Sequence, residues 1–140
     1  MIKLEIEALP ENVAMARVVA SSFITKFDPT VEQLTEFKTA VSEAVTNAII
    51  HGYSDKRSGE FVTLTLSAKG REITAKIIDN GVGIEDVEAA KEPLFTTKPE
   101  MERSGLGFTV MESFMSKVEI NSKKGEGTTI TLVKELGEQQ

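Results

Sequence analysis

The sequence of 140 residues contains no cysteine and a single histidine, His51. Without cysteine the chain can form no disulfide, use no thiolate nucleophile and build no cysteine-ligated zinc site. A single histidine excludes a histidine-rich metal site, so any bound metal should be a hard ion held through oxygen. The absence of cysteine also fits a reducing compartment, and we expect a cytoplasmic protein.

Long apolar runs and an excess of positive charge are missing as well. No stretch approaches the ~18 apolar residues of a membrane span. Residues 1–6 alternate like a strand and lack the apolar segment of a signal peptide. The net charge is −6, whereas nucleic-acid surfaces need clustered Lys and Arg. We therefore expect neither a membrane protein nor direct binding to nucleic acid.

The remaining composition is that of an ordinary soluble globule, with 40% hydrophobic and 27% charged residues. A chain of this length can bury a core of its own. No repeat, low-complexity tract or linker interrupts it. We expect one domain over residues 1–140.

Hydrophobic periodicity predicts an α+β fold. Alternating patterns predict strands over residues 2–8, 61–68, 73–79, 117–122 and 128–134. Helical spacing predicts helices over residues 11–27, 31–50 and 105–115, the second starting at a capping box, Thr30 to Gln33. Residues 80–104 lose periodicity, and unstructured loops beyond ~12–15 residues are often lids.

Asp79 ends an apolar strand and is followed by Asn80-Gly81, a strong turn signal. Its carboxylate could simply accept hydrogen bonds within that turn. A second glycine, Gly83, would however let a flat group approach the backbone. In that case the carboxylate could accept a hydrogen bond from an exocyclic amine such as that of adenine.

The segment Ser104-Gly105-Leu106-Gly107 opens the third predicted helix. Free backbone N–H groups and the helix dipole favour an anion at such a start. The pattern matches neither established phosphate-binding fingerprint, so a flexible hinge is the alternative.

Glu43 and Asn47 lie four residues apart on the second predicted helix, beside its apolar stripe. They could be solvated polar positions. Alternatively, Asn47 could be an oxygen ligand of Mg²⁺, and Glu43 a general base for a hydroxyl or water that attacks the γ-phosphate of a nucleotide. His51 could also be a base, but its apolar neighbours favour a structural role.

Together these segments resemble the GHKL ATPase superfamily. The matches are an N box from Glu43 to Asn47, the adenine motif at Asp79, Gly81 and Gly83, a lid box at residues 93–99, a glycine box at residues 105–108 and the pair Gly127-Thr128. The resemblance implies binding of ATP or ADP with Mg²⁺. It also implies a two-layer sandwich, with helices on one face of a mixed, mostly antiparallel sheet (the Bergerat fold).

Within the superfamily the chain is most similar to small bacterial anti-sigma factors with serine-kinase activity. Residues 42–53, 93–100 and 103–105 and Arg17 carry this likeness. It implies a homodimer that binds a sporulation sigma factor of the F type and keeps it from RNA polymerase. It further implies ATP-dependent phosphorylation of a serine on an anti-anti-sigma factor, and an inactive complex with the unphosphorylated partner when ADP is bound.

The resemblance also implies residue roles. Glu43 would be the catalytic base, Asn47 the Mg²⁺ ligand, Asp79 the adenine acceptor, and Arg17 part of the partner-facing surface. The lid would cover about residues 85–104. Nucleotide contacts would come from Asn47, Asp79, Gly81, Gly83, Thr97, Arg103, Ser104, Gly105, Leu106, Gly107 and Thr128.

Three alternatives remain open. The chain could be the ATP-binding part of a sensor histidine kinase, although such kinases need a phospho-accepting histidine on a separate helical hairpin. The one histidine, His51, instead belongs to the segment of the N box, at the end of the second predicted helix. It could be a binding module that holds nucleotide without transfer. It could also be a general-stress anti-sigma serine kinase, which shares the mechanism and differs in its partner.

Overall fold

The computed structural model of the chain describes residues 1–52, 60–81, 107–123 and 125–138. Within these ranges the chain forms five strands: β1 Ile2–Glu7, β2 Phe61–Lys69, β3 Glu72–Asp79, β4 Lys117–Lys123 and β5 Gly127–Glu135. The same ranges contain three α-helices: α1 Val13–Thr25, α2 Val31–Asn47 and α3 Gly107–Phe114. A 3₁₀ turn, Pro10–Asn12, precedes α1, and a π-helical turn, Ala48–Gly52, continues α2.

The strands form one sheet in the order β1-β2-β3-β5-β4, and each neighbouring pair is antiparallel. β2 and β3 form a hairpin whose last pair is Lys69 and Glu72. β5 lies between β3 and β4, so the end of β3 meets the start of β5. Asp79 is consequently directly opposite Thr128.

The helices pack against one face of the sheet, and the core lies between the two layers. Inward-facing positions alternate along β2 and β3, so that every second residue is buried. α1 and α3 both pack on α2. The largest fully buried side chains are Ile24, Phe37, Val41, Val45, Val62, Leu64, Leu66, Ile73, Ile77, Met111 and Leu132.

Local interactions fix the start of α2 and the turn before it. The side chain of Thr30 accepts a hydrogen bond from the Gln33 backbone N–H at 3.0 Å, and the Gln33 side chain accepts from the Thr30 N–H at 2.9 Å.

Asp28 takes a positive φ of 53° between α1 and α2. The Arg71 guanidinium, in the β2–β3 hairpin, donates to the carbonyls of Phe27 and Asp28 at 2.9 and 3.0 Å. The hairpin is thereby attached to the α1–α2 connection.

The structure confirms the predicted α+β class, with helices on one face of an antiparallel sheet. All strand pairs among the described residues are antiparallel, so no parallel pair of a mixed sheet is seen there. The second helix leaves α-geometry after Asn47, earlier than the predicted residue 50. The predicted lid, residues 85–104, lies outside the described residues. Within the described part of the chain, no helix is long and apolar enough to cross a bilayer.

Candidate functional site

The end of β3 and the start of β5 place two polar side chains on the helix-facing side of the sheet. Asp79 is 4% exposed and Thr128 is 8% exposed. Gly127 precedes Thr128 with a φ of +86°, and a Cβ on it would lie 2.2 Å from the Asp79 carbonyl oxygen. Only glycine permits this approach of the two backbones. The strand ends are therefore held in close contact.

The Asp79 carboxyl is buried but hydrogen-bonded. Its Oδ1 accepts from the Gly81 backbone N–H at 2.9 Å, and the Thr128 backbone N–H also donates to the carboxyl. Burial raises the pKa of the Asp79 carboxyl from 3.8 to about 6, and these two hydrogen bonds offset part of that rise. The turn interaction expected of an isolated Asp-Asn-Gly is thus present, yet it leaves the group strongly desolvated.

The last turn of α2 brings Glu43 and Asn47 to the same region as the start of α3. Asn47 is 9% exposed, whereas Glu43 is half-buried. A Cβ on Gly107, the first residue of α3, would lie 3.0 Å from Asn47 Nδ2 and 3.3 Å from Glu43 Oε2. The glycine therefore allows α3 to begin directly against both side chains. Asn47 is therefore buried and is not one of the solvated polar positions considered from the sequence.

These groups suit a nucleotide with a hard cation. The buried carboxylate can accept hydrogen bonds from a base, as can the Thr128 hydroxyl. Asn47 supplies a carboxamide oxygen, and Mg²⁺ is commonly held by few protein oxygens together with substrate phosphates. Among the described residues no three His, Cys, Asp or Glu side chains cluster to form a protein-only metal cage. The donor set therefore fits Mg²⁺ only as a companion of a phosphate-bearing ligand.

Several predicted nucleotide contacts lie outside the described residues: Gly83, Thr97, Arg103, Ser104, Gly105 and Leu106. The side chain of His51 is not described either. Their predicted roles stay predictions. The described residues Glu43, Asn47, Asp79, Gly81, Gly107 and Thr128 fall into two groups, one where β3 meets β5 and one where α2 meets α3.

Arg17 lies apart from these groups, on the exposed side of α1. It borders a shallow groove between α1 and α2 of about 480 Å³. The groove is lined by Arg17, Val18, Ser21, Ser22, Thr25 and Lys38. Nearby Met15 and Val18 are exposed apolar residues, at 55% and 61%. A cation beside exposed apolar side chains is compatible with a protein-binding surface.

Two polar side chains that pack inside the fold were not predicted from the sequence. Ser122, on β4, contacts the Thr128 hydroxyl, and Lys134, on β5, is buried beneath α3. Lys134 follows the inward-facing residues Ile130 and Leu132 at a spacing of two, which is a signal that it faces the core. Ser122 is paired with Thr128 across the hairpin of β4 and β5, six residues apart, so the register of that hairpin is the signal that could have found it.

Comparison with protein families matches residues 6–134 to the family described as "Histidine kinase-like ATPase domain". The chain is 54% identical over 133 residues to an anti-sigma F factor of Anoxybacillus flavithermus, covering 95% of this chain and 90% of that protein. It is 54% identical to an anti-sigma F factor of Clostridium perfringens (strain SM101), covering 96% and 95% of the two chains. The identity to an anti-sigma F factor of Bacillus subtilis is 53%, covering 95% and 90%.

Solved structures show the same fold in other proteins. A structure of the RsbU and RsbW domains of a Mycobacterium tuberculosis protein has a TM-score of 0.68 at 19% identity, covering 99% of this chain and 34% of that one. The histidine kinase domain of a blue-light activated kinase from Erythrobacter litoralis has a TM-score of 0.59 at 21% identity, covering 91% and 62%. At these identities the likeness concerns the fold alone.

Proposed function

Because the chain belongs to the histidine kinase-like (GHKL) ATPase domain family and, within it, to the anti-sigma F factors, we propose that it is an ATP-dependent protein-serine kinase that also binds a sigma factor. Its substrate is an anti-anti-sigma factor, which loses activity when its serine is phosphorylated. Its second partner is a sporulation sigma factor of the F type, which it keeps from RNA polymerase. We further propose that it acts as a homodimer in the cytoplasm.

The observation that carries this proposal is the start of α3 against Glu43 and Asn47. A Cβ on Gly107 would lie 3.3 Å from the Glu43 carboxylate and 3.0 Å from the Asn47 carboxamide. The first turn of a helix favours an anion such as a phosphate, and the neighbouring carboxylate can take a proton. Phosphoryl transfer requires mainly such positioning and charge neutralisation.

In the proposed reaction Glu43 takes the proton of the substrate serine hydroxyl. The serine oxygen forms a bond to the γ-phosphorus, the bond from that phosphorus to the β–γ bridging oxygen breaks, and ADP leaves. Asn47 would hold Mg²⁺, which when bound neutralises charge on the phosphates. Asp79 accepts a hydrogen bond from the adenine amine. Thr128 and the segment with Gly81 line the base.

The remaining predicted nucleotide contacts lie in residues that the structure does not describe, and they are proposed from the sequence alone. We propose that residues 85–104 close over the nucleotide as a lid. Thr97, Arg103 and Gly105 would lie near the phosphates together with Gly107, and Ser104 and Leu106 would also contact the nucleotide. Gly83 would allow the base to approach the backbone. When ADP replaces ATP, the γ-phosphate is lost, and the protein would stay bound to its unphosphorylated partner.

The test is transfer from γ-labelled ATP, with Mg²⁺, to the anti-anti-sigma factor encoded in the same genome. We expect label on one serine, as an acid-stable phosphoester. An acid-labile product would instead indicate a phosphorylated histidine and contradict serine specificity. Nucleotide binding and sigma-factor binding without transfer would leave a binding module and refute the kinase proposal. Capture of the F-type sigma factor and not the general-stress sigma factor would settle the partner.

A further inference from the structure

Three polar side chains lie in one row across the inner face of the sheet. Ser122 on β4 is opposite Thr128 on β5, and Thr128 is opposite Asp79 on β3. The adjacent row consists of Ile120, Ile130 and Ile77, which belong to the apolar core or pack against it. The apolar face of the sheet therefore ends at this polar row, which lies at the end of the proposed nucleotide site that would hold the adenine.

The proton of the Ser122 hydroxyl is committed to a backbone acceptor. Ser122 Oγ lies 2.9 Å from the Gly127 carbonyl oxygen, which can only accept a hydrogen bond. The backbone at Gly127 packs closely against that of Asp79 and Asn80. A Cβ on Gly127 would lie 2.2 Å from the Asp79 carbonyl oxygen and 2.8 Å from the Asn80 Cα. A hydroxyl carries a single proton, so Ser122 donates to Gly127.

The direction of the next hydrogen bond follows from this assignment. Ser122 Oγ and Thr128 Oγ1 are 2.7 Å apart, a hydrogen-bond distance. Since the proton of Ser122 is used, Thr128 must donate to Ser122. The Thr128 oxygen then has only lone pairs for any further partner. Its neighbour Asp79, when ionised, likewise has acceptors alone.

We propose that Ser122 is a specificity-determining positioning residue. It accepts the hydrogen bond of the Thr128 hydroxyl, so that Thr128 and Asp79 both present only acceptors to the nucleotide base. Such a site suits a purine that presents an amine at position 6 to both oxygens, as adenine would, with the N1 edge (an acceptor in adenine, an N–H in hypoxanthine) turned away from Thr128. A carbonyl at that position, as in hypoxanthine or guanine, would place an acceptor against acceptors and leave buried groups unpaired. This inference rests on the proposed nucleotide function and assigns Ser122 a part in choosing the base.

Loss of the serine hydroxyl should relax this choice. In Ser122→Ala the Thr128 proton can rotate toward the base and donate to a carbonyl. The Asp79 acceptor remains, so ADP should still bind. Ser122→Thr keeps a hydroxyl at the same position and should keep the choice. A purely structural role for Ser122 would instead weaken both nucleotides by the same factor.

The experiment measures dissociation constants of ADP and inosine diphosphate (IDP) by calorimetry for wild type, Ser122→Ala and Ser122→Thr. We expect the ratio of the IDP constant to the ADP constant to fall about tenfold in Ser122→Ala, the effect of about one hydrogen bond, and to stay at the wild-type value in Ser122→Thr. An unchanged ratio in Ser122→Ala, or equal wild-type affinities for ADP and IDP, would overturn the inference. Wild-type protein that binds neither nucleotide would refute the proposed function itself.

A second measurement uses the unmodified protein, so it does not depend on how a variant folds. The hydroxyl proton of Thr128, if donated to Ser122, should exchange slowly and show an NMR cross-relaxation signal to the Ser122 β-protons. The same signal should persist with ADP bound. A Thr128 hydroxyl proton that instead points away from Ser122 would overturn the inference.

Discussion

At Asp79 the fold keeps a carboxyl group where its charge is disfavoured. Burial raises its pKa to about 6, against 3.8 for the ordinary group. Between these two pH values the folded protein holds a proton that the unfolded chain has lost, so stability falls as pH rises through the window. Strongly shifted pKa values of this kind cluster at functional sites, because burial and neighbouring groups are arranged there for chemistry and not for stability.

Replacing Asp79 by Asn should therefore stabilise the nucleotide-free protein at neutral pH. We expect a gain in the free energy of unfolding at pH 7 that is below the ~3 kcal/mol implied by the pKa shift alone, because the amide NH2 loses acceptor capacity toward the backbone N–H groups, and this gain disappears as the pH approaches 4. Urea denaturation of both proteins across this range measures the difference. A variant less stable than wild type at pH 7 would show that the carboxylate contributes net stability.

The same group should make nucleotide binding depend on pH. If the ionised carboxylate accepts the adenine amine, and its pKa is about 6 before binding, ADP affinity should fall about tenfold between pH 7 and pH 5. Asp79→Asn should bind ADP and ATP more weakly, by similar factors, and without this pH dependence. Calorimetric titrations at several pH values provide the measurement. Selective loss of ATP alone would argue against the adenine role.

Glu43 is proposed to take a proton, a role that its amide cannot perform. We expect Glu43→Gln to bind ATP with near-normal affinity while phosphate transfer falls by about 100-fold or more. Glu32→Gln serves as the control, because Glu32 lies exposed in the first turn of the same helix. Transfer should be unchanged in that control. Wild-type transfer rates in Glu43→Gln would remove Glu43 as the base.

At the scale of elements, a buried cation joins α3 to the rest of the fold. The Lys134 ammonium, on β5, donates to the Phe114 carbonyl at the end of α3. It also pairs with Glu36 on α2 at 3.0 Å. The two side chains are 11% and 22% exposed. A cation at a helix C-terminus is favourable, and this one also links α3 to α2.

Lys134→Met should consequently be costly despite its similar size. It leaves the Glu36 carboxylate half-buried without its cation and removes a donor from the end of α3. We expect a loss of about 1–3 kcal/mol in the free energy of unfolding, measured by urea denaturation. Lys117→Met is the matched control, because Lys117 pairs with Glu119 at 2.8 Å while both side chains are well exposed. That control should change the free energy of unfolding far less, because an ion pair between exposed side chains is screened by solvent. Equal effects would show that the burial of Lys134 is energetically unimportant.

Elements with strong local signals could be predicted from the sequence. The capping box at Thr30 and Gln33 fixes the start of α2, and the structure contains both of its hydrogen bonds. The burial of Asn47 could not be predicted, because it depends on α3 packing against α2 from a position sixty residues later in the chain. The pairing of Asp79 with Thr128 likewise depends on strand order, because β5 lies beside β3 and not only beside β4. Local periodicity encodes elements, whereas the site arises where distant elements meet.

At the scale of the whole molecule, charge and shape separate two surfaces. The helices cover one face of the sheet, and the opposite face exposes polar side chains such as Lys3, Glu5 and Lys76. The chain carries a net charge of −6, yet the α1–α2 groove presents Arg17 and Lys38. A local cation on an acidic protein can orient a partner that carries a complementary acidic group.

Arg17→Glu should then abolish partner binding while leaving nucleotide affinity unchanged. Arg17 lies on α1, whereas the described nucleotide residues lie on α2, α3 and β5 and at the end of β3. Reversing one charge places like charges against each other, which costs several kcal/mol at an interface. Lys76→Glu applies the same charge change on the opposite face, where Lys76 is exposed, and should bind partners normally. Pull-down of the sigma factor and of the anti-anti-sigma factor, with ADP affinity measured in parallel, distinguishes the cases. Binding lost equally in both variants would mean that total charge, and not the α1–α2 surface, governs recognition.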